Sequence, residues 1–74
     1  MTVTVKLFAT LRVGRGKVLN IDLSGRTTVK DIVEQLEISS ADIAILLVNG
    51  RTGLPGTALK DGDAISLFPP VGGG

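Results

Sequence analysis

The stretch TVKDIVEQL, residues 28–36, decides the fold. Its four apolar residues recur at positions i, i+3, i+4 and i+7 and therefore form one stripe of an α-helix: Val29, Ile32, Val33 and Leu36. Thr28 and Asp31 resemble a capping box, because the threonine hydroxyl can accept a hydrogen bond from the Asp31 amide. The Asp31 carboxylate also suits the positive end of the helix dipole. The pattern predicts one amphipathic helix whose apolar stripe covers one face of a sheet.

Strand signals precede this helix. Residues 2–7 alternate between polar and apolar side chains, with Val3, Val5 and Leu7 on one face, as a half-buried strand should. The segment 14–16, Gly-Arg-Gly, interrupts the alternation, and residues 18–23 are suited to a returning strand. We expect a hairpin with a loose glycine-containing turn.

Strands separated by turns are predicted after the helix. Residues 39–42 carry a second cap signal and allow one helical turn. The continuous apolar run at residues 44–48 predicts a buried strand. The pair Asn49-Gly50 favours a type I′ turn, because both residues tolerate positive φ. Residues 53–56 are irregular, and the turn Asp-Gly-Asp at 61–63 leads into a last strand at residues 64–68.

These elements give the order ββ-α-β-(short β)-β, which is an α+β domain with one main helix on one face of a mixed sheet. The expected strand partners of the helix stripe are Val3, Val5, Leu7, Ile65 and Leu67. The pattern does not determine the strand order. We place the domain at residues 1–68 and a flexible C-terminal tail at residues 69–74.

The composition excludes several classes of function. A chain of 74 residues has room for one domain. The absence of Cys and His removes disulfides, thiol nucleophiles, the usual zinc ligands and the commonest general base. A net charge of +1 with only two aromatic residues argues against nucleic-acid binding. No apolar run reaches the length of a membrane span and no leader is visible, so a cytoplasmic protein without membrane contact is expected.

The C-terminal sequence Pro69-Pro70-Val71-Gly72-Gly73-Gly74 is the strongest local signal. Two prolines cannot continue a central strand, so they direct the chain away from the domain as a stiff extended arm. Three glycines then form a slender tip that could enter a narrow active site with its terminal carboxylate sterically open. The alternative is a frayed terminus or a leftover linker.

The chain as a whole resembles the MoaD/ThiS group of β-grasp sulfur carriers. The resemblance rests on residues 5–12 in the first strand, 28–32 at the helix start, 48–50 before the hairpin turn, 59–63, 65–68 and the terminal 69–74. It implies a ubiquitin-like β-grasp fold. The Pro-Pro-Val step at residues 69–71 is more similar to the small subunit of molybdopterin synthase than to the thiazole-pathway carrier.

The resemblance also implies a reaction sequence. An E1-like adenylyltransferase (MoeB/ThiF-like) would use ATP and magnesium to adenylate the carboxylate of Gly74, which follows Gly73. A sulfur donor protein would convert the acyl adenylate to a thiocarboxylate, and a large molybdopterin synthase subunit (MoaE-like) would receive the tail. The carrier would bind no cofactor and no metal itself, and it would not be an enzyme alone.

Partner contacts are implied at both ends of the chain. Phe8 and Phe68 match two positions of an apolar patch on the open sheet face, and each is opposite in phase to an inward leucine. Arg12 matches a position that could pair with an acidic partner group, or it is an exposed residue at a strand end. The tail residues expected to contact partners are Pro69, Pro70, Val71 and Gly72.

Three departures from the family pattern and three other functions stay open. The tail has three glycines where two are usual, Val13 replaces a frequent acidic residue, and residues 53–56 are irregular where relatives often continue a strand. The chain could instead carry sulfur for thiamin, tRNA thiolation or an amino-acid pathway. It could be a ubiquitin-like modifier joined to lysines through Gly74, or an interaction module that never uses its terminus.

Overall fold

The computed structural model describes residues 2–22 and 27–70, which form a five-stranded mixed sheet with one α-helix against one face. The strands are β1 (Thr2–Leu7), β2 (Val18–Asp22), β3 (Ile45–Val48), β4 (Arg51–Thr52) and β5 (Ala64–Phe68), and the helix is α1 (Val29–Gln35). Short 3-10 helices lie at Ala9–Arg12 and Ser40–Asp42. The predicted α+β class and the order of the main elements are confirmed.

The sheet order is β2-β1-β5-β3-β4, so the first and last strands of the chain lie side by side at its centre. β1 and β5 run parallel, with Val5 opposite Ile65 and Leu7 opposite Leu67, whereas all other neighbouring strands are antiparallel. Parallel neighbours require a long crossover connection. Here the crossover contains α1, which is why the helix comes to lie across the sheet.

The core fills the space between α1 and the inward face of the sheet. The buried apolar side chains are Val3, Val5, Leu7, Leu11, Val29, Ile32, Val33, Ile38, Leu59, Ile65 and Leu67. They include every predicted strand partner and the first three residues of the helix stripe, which confirms that prediction. Leu36 packs against the core but is half-buried, because α1 ends one residue before it. Leu11, Ile38 and Leu59 lie outside the strands and α1, where periodicity gives no signal.

The N-terminus of α1 is capped from two directions. The predicted capping box is present: the Thr28 amide donates to Asp31 Oδ2 at 2.9 Å, and the Asp31 amide donates to Thr28 Oγ1 at 3.4 Å. The next two amides, those of Val29 and Lys30, donate to the carbonyl oxygens of Thr57 and Pro55 at 3.1 and 2.9 Å. The irregular stretch after β4 therefore satisfies helix amides that would otherwise need water.

The first strand has the bounds that the alternation predicted, residues 2–7, and is shorter than the segment that the resemblance placed in it, residues 5–12. β1 ends at Leu7, and a 3-10 turn occupies Ala9–Arg12, where the resemblance continued the strand. Ala9 has a left-handed φ of 53°, which turns the chain directly after Phe8. The turn buries Leu11 in the core, a tertiary contact that the alternation along β1 does not report. The alternative of an exposed Arg12 at a strand end is wrong, since Arg12 is half-buried in this turn.

β3 is more exposed than the buried strand predicted for residues 44–48. Leu46 and Val48 turn toward the core, whereas Ile45 and Leu47 pair with residues of the opposite, uncovered face of the sheet. Ile45 is 53% exposed. An apolar run without alternation does not show that only one of its two faces is covered.

The turns agree with the sequence. Asn49 and Gly50 join β3 to β4 with φ values of 52° and 81°, as the predicted type I′ turn requires. Gly62 has a φ of 85° in the predicted turn before β5. Residue 23, where the second strand was predicted to end, and residues 71–74 lie outside the described residues. Within the described residues, no helix is long and apolar enough to cross a bilayer.

Arg15 connects the C-terminal end of α1 to the turn that follows β1 through side-chain hydrogen bonds. Its guanidinium donates to the carbonyl oxygens of Leu36 and Glu37, just past α1, at 3.3 Å each, and to that of Leu11 at 3.3 Å. The Leu36 and Glu37 carbonyls lie at the negative end of the α1 dipole.

We predict that Arg15→Met lowers the free energy of unfolding by about 1–2 kcal/mol, because it leaves several carbonyls without a charged donor. Urea unfolding of the two proteins measures this loss. Arg15→Lys is the matched control, and it should recover only part of the loss because one ammonium cannot reproduce the planar fork. Unchanged stability of Arg15→Met would show that the three carbonyl contacts contribute nothing.

Candidate functional site

The face of the sheet opposite α1 is open, and apolar side chains gather at one end of it. Phe68 at the end of β5 lies opposite Ile45 of β3 in the antiparallel register. Leu47 shares this face, two residues along β3. Phe8 follows β1 directly, and its amide donates to the Leu67 carbonyl at 3.2 Å, which extends the parallel ladder by one residue. We call Phe8, Ile45, Leu47 and Phe68 the outer patch.

The two phenylalanines stack on each other. Their ring centroids are 4.2 Å apart and their planes are inclined by 10°. Neighbouring parallel strands bring the two residues together, since Leu7 opposes Leu67 immediately before them. Both rings are half-buried. A preformed aromatic pair loses little conformational entropy when a partner covers it, which makes it suited to docking.

Arg12 lies at the edge of the outer patch. Its Nε donates to the Leu7 carbonyl at 2.9 Å, and its guanidinium carbon lies 5.6 Å from the centroid of the Phe8 ring. The left-handed turn at Ala9 is what brings Arg12 back over Phe8. Among residues 2–22 and 27–70, the two Nη atoms of Arg12 have no hydrogen-bond acceptor. They are thus available for a carboxylate, in the fork geometry that guanidinium groups favour.

The tail begins beside the outer patch. Phe68 is the last residue of β5, Pro69 is half-buried and Pro70 is exposed. A shallow groove contacts this root, and it is lined by Phe8, Leu11, Asp42, Ile45, Phe68 and the two prolines. The predicted site residues Phe8, Arg12, Phe68, Pro69 and Pro70 therefore lie together. Val71, Gly72, Gly73 and Gly74 lie outside the described residues.

Ile45 and Leu47 belong to this surface and were not identified from the sequence. The run at residues 44–48 was interpreted as a strand buried on both faces, which hides the distinction between inward and outward positions. One signal in the sequence was available. The Asn49-Gly50 turn joins β3 to a short strand, which suggests that β3 lies near the edge of the sheet, where one face is commonly open. Alternate residues of β3 would then point to the covered and the open face.

A polar cluster lies at the other end of β5. Asp63 Oδ1 accepts from Asn49 Nδ2 at 3.0 Å, and Asp63 Oδ2 accepts from the Lys60 amide at 2.8 Å. The hydrogen bond from Asn49, and then that from Lys60, hold the pKa of the Asp63 carboxyl below its usual value. Asp61 accepts from the Thr2 amide at 2.8 Å. The two carboxylates thus take up backbone and side-chain donors of the turn that the sequence predicted.

We predict that stability falls below about pH 4, in part through Asp63. Because its folded pKa lies below the unfolded value, the ionised carboxylate contributes its full stabilisation above the unfolded pKa. That contribution is lost as the pH falls through the folded pKa. Urea unfolding across the acidic range should show a smaller acid-dependent loss for Asp63→Asn than for the parent. The same pH slope in both proteins would contradict the role of Asp63.

The fold defines a small ubiquitin-like protein with an apolar outer patch beside Pro69 and Pro70. Residues 5–74 match the family model described as the ThiS family. The chain belongs to this family, within the MoaD/ThiS group of ubiquitin-like sulfur carriers, and the resemblance seen in the sequence is confirmed.

Solved structures agree with this assignment and confirm the β-grasp fold. Small archaeal modifier protein 1 of Haloferax volcanii is 30% identical over 100% of both chains, with a TM-score of 0.82. A chain from the complex of subunits 1 and 2 of the molybdopterin-converting factor of Helicobacter pylori is 28% identical over 100% of both chains, with a TM-score of 0.68. The thiamine biosynthesis protein ThiS of Geobacter metallireducens is 26% identical over 100% of both, with a TM-score of 0.65. No curated protein matches the chain.

Proposed function

We propose that this protein carries sulfur as a C-terminal thiocarboxylate on Gly74 and donates it during synthesis of the molybdopterin, or the related tungstopterin, cofactor. The observation that carries the proposal is the family match, which extends through residue 74 and so includes the terminal glycines. The likeness to a chain of the Helicobacter pylori molybdopterin-converting factor supports the choice of pathway. The Pro69-Pro70-Val71 step supports it as well.

The chemistry needs activation of an unreactive carboxylate. Attack of the Gly74 carboxylate on the α-phosphorus of ATP expels pyrophosphate and gives an acyl adenylate, in which AMP is a good leaving group. The persulfide sulfur of a donor protein then attacks the acyl carbon and displaces AMP. A thiol cleaves the S–S bond of the resulting acyl disulfide, which releases the thiocarboxylate and leaves a disulfide on the donor side. The chain contains no Cys and no His, so the activating enzyme supplies the acid-base groups, ATP and magnesium.

The geometry of the tail root fits delivery into a partner. The outer patch offers a flat apolar anchor, and the prolines that follow Phe68 restrict the direction of the chain. Six residues from Pro69 to Gly74 span at most about 20 Å when extended. A partner that binds the outer patch can therefore hold an active site roughly that distance away. Arg12 supplies a cation at the patch edge for a carboxylate of the partner.

We propose two classes of partner for this surface: an E1-like adenylyltransferase and a large synthase subunit. The Helicobacter pylori relative was solved as a complex of subunits 1 and 2, which supports a partner subunit of the second class. Both must reach the same carboxylate, so they would bind in alternation. Competition between the two partners for the carrier is the expected consequence.

The test is intact-mass spectrometry after incubation with an E1-like enzyme, ATP, magnesium and a sulfur donor. A mass gain equal to the exchange of one oxygen for sulfur would support the carrier chemistry. The sulfur-loaded protein, mixed with a large synthase subunit and a cyclic pyranopterin precursor, should return to its starting mass. An unchanged mass with a partner proven active on its own carrier would contradict the proposal.

A second candidate function is protein modification. The TM-score of 0.82 with small archaeal modifier protein 1 favours it, and the same acyl adenylate would serve both roles. The two functions differ in product, since a modifier forms an isopeptide bond between Gly74 and a lysine of another protein. Carriage of sulfur for thiamin or tRNA thiolation is distinguished by the acceptor that discharges the thiocarboxylate.

A further inference from the structure

The side chain of Asn49 is held at both of its heteroatoms. Nδ2 donates to Asp63 Oδ1 at 3.0 Å, and Oδ1 accepts from the Ala64 amide at 2.9 Å. The backbone N–H of Asn49 also donates to the Ala64 carbonyl at 2.7 Å. This one residue therefore joins the turn after β3 to the first residue of β5. The Asp63 carboxylate accepts from Nδ2 and so fixes the orientation of the Asn49 side-chain amide.

Gly50 follows Asn49, and it has no side chain to shield its backbone nitrogen. In such a pair the Gly50 nitrogen can bond to Asn49 Cγ, the Cγ–Nδ2 bond breaks, and ammonia leaves with the proton of the Gly50 amide. Water then opens the resulting succinimide to aspartate or isoaspartate. Cyclisation requires the Asn49 side chain to turn toward Gly50, and this movement breaks both of its hydrogen bonds to residues 63 and 64.

We propose that Asn49-Gly50 is a deamidation site that the fold keeps unreactive through Asp63, and that its reaction loosens the corner between β3 and β5. The aspartate product replaces the Nδ2 donor with an oxygen, and two carboxylates then face each other across a contact that measures 3.0 Å between Asn49 Nδ2 and Asp63 Oδ1 before the reaction. The charge-assisted hydrogen bond becomes a repulsion. This modification is independent of any sulfur chemistry at the C-terminus.

The affected corner lies at the far end of the β3–β5 ladder from Phe68. β3 carries Ile45 and Leu47 of the outer patch, and its last residues are joined to β5 through Asn49. Ile45 pairs with Phe68 at the opposite end of the ladder, four residues from Asn49, so the loosened corner leaves that pair in place. Deamidation is therefore expected to lower the stability of the fold and to leave the outer patch assembled.

The rate test uses the full chain at mildly alkaline pH, with peptide mapping to locate the mass change of deamidation. Asn20, the other asparagine, precedes a β-branched isoleucine and serves as the internal reference. Asp63→Ser should raise the rate at Asn49 by about tenfold, since it frees the amide to reach an attack geometry. Arg15→Met is the control for global destabilisation, because it leaves the contacts of Asn49 intact. Equal rates in Asp63→Ser and the parent, or equal acceleration by Arg15→Met, would overturn the protection by Asp63.

The consequence is tested by a swap of the two side chains. N49D should lower the melting temperature by about 4–8 °C at neutral pH, as expected for a loss near 1 kcal/mol in a domain of this size. The double variant N49D/D63N restores a donor opposite a carboxylate and should regain most of that loss. A melting temperature of N49D equal to that of the parent would overturn the predicted repulsion, and so would a double variant no more stable than N49D.

Discussion

Deletion of Gly74 will abolish formation of the thiocarboxylate and leave the fold unchanged. The proposed chemistry takes place on the terminal carboxylate, and a partner active site shaped for a glycine tip would hold the acyl carbon within a fraction of an ångström. Moving that carbon back by one residue removes it from the reacting geometry, which can cost a factor of about 100 for a displacement of only 1 Å. Among the described residues the last buried side chain is that of Leu67, so we expect the fold to be retained.

Intact-mass spectrometry with the activating enzyme measures the loss of sulfur loading, and urea unfolding checks that the fold is retained. The matched control is an insertion of one glycine before Gly72, which lengthens the tail but keeps the natural Gly73-Gly74 end. If the activating enzyme recognises the terminal Gly73-Gly74 pair, a larger fraction of the insertion variant than of the deletion variant should be converted to the thiocarboxylate. Normal loading of the deletion variant would contradict the role of Gly74, and full function in cells without loading would favour the interaction module.

Replacement of Phe68 by alanine will weaken binding of the activating enzyme by at least about 2 kcal/mol, or about 30-fold in Kd. Phe68 combines two roles. It stacks on Phe8 at 4.2 Å in the outer patch, and it is the last residue of β5 before the prolines that direct the tail. Aromatic residues at the centre of an apolar patch are the residues at which interface energy concentrates.

Titration calorimetry with a purified partner measures this loss. Leu54→Ala is the control, because Leu54 is 70% exposed and apolar but lies outside the outer patch. It should leave the affinity within about 0.5 kcal/mol of the parent. Near-ultraviolet circular dichroism and unfolding separate a lost contact from a lost fold. Equal affinities of Phe68→Ala and the parent would place the partner on another surface.

The candidate site was partly predictable from the sequence. Phe8 and Phe68 each come directly after an inward leucine that the alternation identifies, so parity alone puts both rings on the open face. The sequence did not show that the rings touch, because their contact depends on β1 and β5 being parallel neighbours. Ile45 was missed for a related reason: a run of five apolar residues contains no alternation that separates one face from the other.

The sequence by itself determined the features that depend on neighbours along the chain. The capping box of α1, its apolar stripe, the Asn49-Gly50 turn and the alternation of β1 arise from residues a few positions apart, whose interactions need no distant partner. The two prolines after Phe68 also restrict the direction of the chain, because each has a fixed φ. These local preferences are strong enough to set the element types and their order.

Only the tertiary structure decided which strands are neighbours and how the chain leaves β1. The central parallel pair joins residues about sixty positions apart, and contacts of such separation depend on the whole core rather than on either strand. The left-handed turn at Ala9 exists because it buries Leu11 and returns Arg12 to the Leu7 carbonyl. Burial of Leu11 and the hydrogen bond from Arg12 outweigh the unfavourable left-handed φ of Ala9. These two tertiary contacts therefore set the shape of the outer patch near Phe8.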